Sequence, residues 1–158
     1  MKKIVSLIVV ITLFLMTLTA CVSNVDDVGV IGEFNGNAEI CVYSDASLTQ
    51  SHDGKLEVGT MYYVTINVDI DKKQGVALDK VSSILKIEFP TTETAIVAFN
   101  SGKAMEASTT SDHVTYSCNV YSDSTNTFVF SLMPIKSDAF NIRVLVDDKS
   151  IGNKIIDF

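Results

Sequence analysis

The segment Tyr62-Tyr63-Val64-Thr65-Ile66-Asn67-Val68-Asp69-Ile70-Asp71 decides the fold. Its even positions, Tyr62, Val64, Ile66, Val68 and Ile70, are all apolar, while its odd positions include Thr65, Asn67, Asp69 and Asp71. Successive side chains of an extended chain point to opposite faces, so this alternation predicts a strand with one buried and one wet face. The same period recurs at Val81–Phe89, with Val81, Leu85, Ile87 and Phe89 inward, and at Thr127–Met133, with Phe128, Phe130 and Leu132 inward. Phe140–Val146 sets Phe140, Ile142, Val144 and Val146 against Asn141, Arg143 and Asp147.

Ala38–Tyr43, Ala95–Phe99, His113–Tyr121 and a closing Asn153–Phe158 extend the pattern, with turn residues between the runs. Only Gly102–Ser111, through Lys103-Ala104-Met105-Glu106-Ala107, carries a hint of a helical turn. Regular short strands joined by polar turns predict an antiparallel sandwich or barrel of about seven to eight strands. That all-β domain is expected to occupy residues 38–158.

The chain opens Met1-Lys2-Lys3 and continues with an apolar run from Ile4 to Ala20, the layout of a secretory signal peptide. The run ends Leu18-Thr19-Ala20-Cys21, which resembles the bacterial lipobox. The resemblance implies cleavage after residue 20 and a diacylglyceryl group on the Cys21 sulfur, with further acylation such as palmitate holding the product stably on a membrane. The competing expectation is an uncleaved helix near the lower length limit for crossing a bilayer. Residues 21–37 then read as a tether, of which fourteen extended residues would reach about 45–50 Å. Val28, Val30, Ile31 and Phe34 are too apolar for a free linker, so its second half is expected to dock as an edge strand.

Removing residues 1–20 takes away Lys2 and Lys3 and moves the formal charge from −7 to −9. An acidic domain with Arg143 as its single arginine and no basic cluster lacks the footprint for nucleic acid or anionic headgroups. Attachment to a membrane would therefore rest on the lipid. Acylation of Cys21 leaves Cys41 and Cys118, which in an exported chain suits one disulfide, worth roughly 4–5 kcal/mol in chain-entropy terms. Parity favours two free thiols instead: Cys118 shares its face with Val114, Tyr116 and Val120, whereas Cys41 shares one with Glu39 and Tyr43. Both remain open at this level.

Asp112-His113-Val114-Thr115-Tyr116-Ser117-Cys118 resembles the strand F signature of immunoglobulin domains at its Asp, Tyr and Cys. Val114 stands where the signature has a small residue, and the chain has no Trp to pack on a disulfide. The resemblance implies an immunoglobulin-like β-sandwich in which Tyr116 forms a tyrosine corner and Cys118 faces the core.

Catalytic constellations are thin. His113 and Cys118 are an odd number of residues apart on one strand and so face opposite ways. Ser51-His52-Asp53 are adjacent and have no nucleophile elbow. Two histidines and separated cysteines give no zinc spacing, and no cofactor motif is present. Asp69, Asp71 and Asp147-Asp148 would matter for calcium only if loops brought them together. Tyr63 and Tyr121 fall on polar faces, where rings cap a sheet edge or join an interface.

The expected role is a non-enzymatic binding or adhesion module, lipid-anchored and extracytoplasmic, on a cell membrane or outer membrane. It would recognise an envelope protein, an extracellular protein or a glycan through the loops Ser44–Lys55, Lys72–Asp79 and Ser122–Asn126. The competing roles are an accessory subunit docking by edge-strand addition, a calcium-dependent module and an envelope enzyme.

Overall fold

A computed structural model describes residues 29–31, 34–72, 82–121 and 124–158. The predicted signal peptide, Cys21 and Val81 lie outside the described residues. The strands are β1 (Gly29–Ile31), β2 (Phe34–Tyr43), β3 (Tyr62–Lys72), β4 (Ser82–Pro90), β5 (Ala95–Ser101), β6 (Glu106–Thr109), β7 (His113–Tyr121), β8 (Ser124–Pro134), β9 (Phe140–Val146) and β10 (Lys149–Ile156). They form two antiparallel sheets, in the orders β1-β2-β3-β8-β5 and β10-β9-β4-β7-β6.

The alternation in β3 becomes the centre of the core: Val64, Ile66 and Val68 are wholly buried, and Phe128 and Phe130 face them from the neighbouring β8. Leu85, Ile87, Ile142, Val144 and Val146 come from the second sheet into the same cluster. Two sheets sharing one apolar layer make a β-sandwich. An aromatic group ties its middle, with Phe130 ring centroids 4.8 Å from Phe89 and 5.0 Å from Tyr116.

Two elements differ from the expectation drawn from sequence. β2 begins at Phe34 rather than Ala38, with Gly36 buried, so the sheet takes in the end of the predicted tether. β1 pairs with β2 as the expected edge strand. Gly102–Ser111 holds no helical turn but the short strand β6, which lies exposed against β7. Glu106-Ala107-Ser108-Thr109 has no apolar alternation to announce a strand, and pairing with β7 alone makes it one.

β2 and β10 approach closely where β10 carries a bulge between Ser150 and Gly152. A Cβ on Gly152 would lie 2.6 Å from the Ala38 carbonyl oxygen and 2.9 Å from its Cβ, so this contact requires glycine.

The tyrosine corner is not where the motif puts it. In an immunoglobulin domain strand F lies between C and the G strand that follows it. Both partners of β7, namely β4 and β6, precede it in the chain. The Tyr116 hydroxyl does bond a backbone carbonyl, 3.2 Å away, but that carbonyl belongs to Val97 in the opposite sheet. A local loop-to-strand bond exists instead at Tyr62, whose buried hydroxyl accepts from the Glu57 N–H at 3.0 Å.

Candidate functional site

The antiparallel register sorts the loops. Tyr43 pairs with Tyr63, Tyr62 with Leu132, and Pro134 with Ala95, so segments 44–61, 91–94 and 135–139 leave the first sheet at one end. Phe34 pairs with Lys72 and Ile70 with Ser124, which places Lys72 and Ser124, where the other two predicted recognition loops meet β3 and β8, at the opposite end. The three loops nominated from sequence therefore do not form one surface. Residues 73–79 and 122–123 lie outside the described residues, and Ser124–Asn126 belongs to β8.

The end that carries Ser44–Lys55 is built by hydrogen bonds. The Asp45 carboxylate accepts from the backbone N–H of Gln50 at 2.7 Å and of Thr49 at 3.1 Å, and from the hydroxyls of Thr49 and Ser47. These donors hold its carboxyl down to about 2, the Ser47 hydroxyl and the Gln50 amide foremost, because each favours the ionised form. Leu48 takes a left-handed conformation, φ 57°, to close this turn. Further along, the Leu56 N–H donates to Asp157 at 3.0 Å, joining the loop to the end of the second sheet.

Beyond Leu56 the chain presents apolar side chains to water. Val58 is 50% exposed, Met61 43% and Ile135 38%. Two backbone bonds join them into one surface: the Gly59 N–H donates to Pro134 at 2.8 Å, and the Ile135 N–H donates to Thr94 at 2.9 Å. Loops fixed to each other and to β5 and β8 form a rigid platform rather than three independent tips. Sequence reading missed these residues, because each stands alone in a polar loop and only the non-local bonds bring them together.

The chemistry-bearing residues disperse. His52 packs its ring 4.9 Å from that of Tyr62 and its Nε2 contacts the Lys55 carbonyl at 3.1 Å, while Ser51 bonds Asp53. A groove of about 250 Å³ beside them is lined by Val42, Leu56 and Lys154 among others. His113 faces Glu88, 3.8 Å away, which also pairs with Arg143 at 3.1 Å, so His113 and Cys118 do point apart. Asp147 accepts from the Ile84 N–H at 2.9 Å, and Asp148 pairs with Lys86 at 2.5 Å, both in a two-residue turn with positive φ. Among the described residues no group of three or more His, Cys, Asp or Glu side chains is placed to hold a metal ion.

The Cys41–Cys118 disulfide is not formed. Cys118 is a free, half-buried thiol on β7 that packs against the core. Cys41 sits on β2 between Ile40 and Val42, whose side chains enter the core, so its own leaves from the outer face of the first sheet. Two sheets separated by a packed core keep these sulfurs apart. Burial pushes the Cys118 thiol up, against the opposing pull of Lys103. Cys118, Lys103 and Tyr121 line a groove of about 420 Å³, in which the Lys103 ammonium sits 5.0 Å over the exposed Tyr121 ring. Tyr63 is half-buried.

No protein-family model and no curated protein matches the chain.

Proposed function

We propose that this chain is a bacterial lipoprotein, anchored through Cys21 on the outer side of a membrane, whose β-sandwich is a non-enzymatic binding module. The observation that carries the reading is the order of Lys2-Lys3, the apolar run Ile4–Ala20 and Leu18-Thr19-Ala20-Cys21. The binding surface is the end of the sandwich that bears Val58, Met61 and Ile135. Its partner is a protein with a complementary apolar surface, because exposed aliphatic side chains on a rigid platform favour burial over hydrogen-bonded sugar recognition.

The test is capture from envelope extracts with the full lipidated chain. A partner is expected to be retained by wild type and by Ile84→Asp, which places a charge at the opposite end. Val58→Asp combined with Ile135→Asp is expected to lose it. Equal retention by all three proteins, or no stoichiometric partner, would overturn the binding surface.

A further inference from the structure

Among the described residues the sandwich is closed on its β2–β10 side, and β5 forms an outer edge of the first sheet, paired there with β8 alone. Natural edges carry charges, proline or a cover that prevents further pairing. The run Ala95-Ile96-Val97-Ala98-Phe99, which precedes the bulge between Phe99 and Ser101, carries no charge and no proline. Its inward side chains, Val97 and Phe99, pack against the core cluster and are only partly buried.

The backbone of this edge is held in position for pairing. Thr94 accepts from Ile135 on the β8 side, so residues of odd number turn their N–H and C=O away from β8. The Tyr116 hydroxyl, arriving from the other sheet, reaches the outward carbonyl of Val97 and so confirms the direction. That carbonyl keeps a second lone pair for another donor.

We propose that β5 is a self-association edge, and that a second copy of this chain adds its own β5 antiparallel to it. Centring the pair on Ala98 opposes Val97 to Phe99 of the second copy in hydrogen-bonded positions, and Ala98 to its own equivalent in a non-hydrogen-bonded one. Two partly buried apolar pairs then form between the copies. The contact is isologous, and no like charges oppose each other in the strand. This inference stands apart from the lipid anchor and the loop platform.

The experiment uses the full chain in neutral detergent. Ala98→Cys, an exposed and nearly isosteric change, is expected to cross-link under mild oxidation into a species of twice the monomer mass, because opposed non-hydrogen-bonded residues lie within disulfide range. Wild type, with its native thiols, and Ile84→Cys on the other sheet are expected to stay monomeric on the same non-reducing gel. In sedimentation, Ala98→Lys, which opposes two like charges at the centre of the pair, is expected to weaken the dimer severalfold. A monomeric wild type at all concentrations, with no more Ala98→Cys cross-link than Ile84→Cys gives, would overturn the proposal. A dimer indifferent to Ala98→Lys would overturn this register.

Discussion

The hydroxyl of Tyr116 donates to the carbonyl of Val97 across the gap between the two sheets, at 3.2 Å. The bond pins an edge strand to the opposite layer, while the ring packs against Phe130 and Phe89. Tyr116→Phe keeps the ring and removes the bond. Because the Val97 carbonyl sits at an open edge and can take water, the expected loss is about 0.5–1.5 kcal/mol, the net value of an ordinary hydrogen bond. Tyr121→Phe, at an exposed strand end, is expected to stay within about 0.5 kcal/mol of wild type. Denaturant melts of the two variants side by side check this, and equal stabilities would remove the cross-sheet tie.

Asp45 organises its loop only while ionised. Its folded pKa is lowered from 3.8 to about 2, so its contribution is present above the unfolded value and is lost as pH falls through about 2. Carboxyl resonances followed by NMR are expected to give Asp45 a midpoint near that value. The Gln50 amide should stay protected from exchange at pH 4 and lose protection below the midpoint. An ordinary aspartate titration, with no change at Gln50, would remove the loop cap.

Gly152 has no room for a side chain against Ala38. Gly152→Ala is expected to cost about 1–3 kcal/mol, since backbone rather than a flexible side-chain end must give way. Gly54→Ala, whose new Cβ would meet His52 at an ordinary 3.6 Å, is expected to change stability little. Chemical denaturation of both variants separates close sheet approach from a general glycine effect.

Cys118 is a desolvated thiol with its ionisation pushed up. Iodoacetamide is expected to label it slowly in the folded protein and completely in denaturant. A non-reducing peptide map is expected to contain no Cys41–Cys118 linkage. Finding that linkage would require the faces of β2 or β7 to be reversed.

Parity carried most of what was legible in the sequence. The alternation of Tyr62, Val64, Ile66, Val68 and Ile70 located the core face of β3, and the same counting placed Cys118 inward and Cys41 outward. β6 was not legible, since every one of its residues is exposed and only its neighbour makes it a strand. The hydroxyl partners of Tyr62 and Tyr116 were hidden for a related reason: a short motif fixes a ring's face but not which backbone group lies above it. Loop grouping depends on register, so Ser44–Lys55 and Ser122–Asn126 looked equivalent in sequence although they stand at opposite ends of β3.

The lipid anchor is tested most directly at the Cys21 sulfur, which can carry a thioether-linked lipid or a disulfide but not both. Cells expressing the full chain are fed an alkynyl fatty acid, and the purified protein is read by click labelling and by the mass of its N-terminal peptide. Label is expected on wild type and none on Cys21→Ser, with a mature chain that begins at an acylated Cys21. Label that survives in Cys21→Ser, or a mature wild-type chain whose Cys21 is found in a disulfide with Cys41, would contradict the lipid anchor.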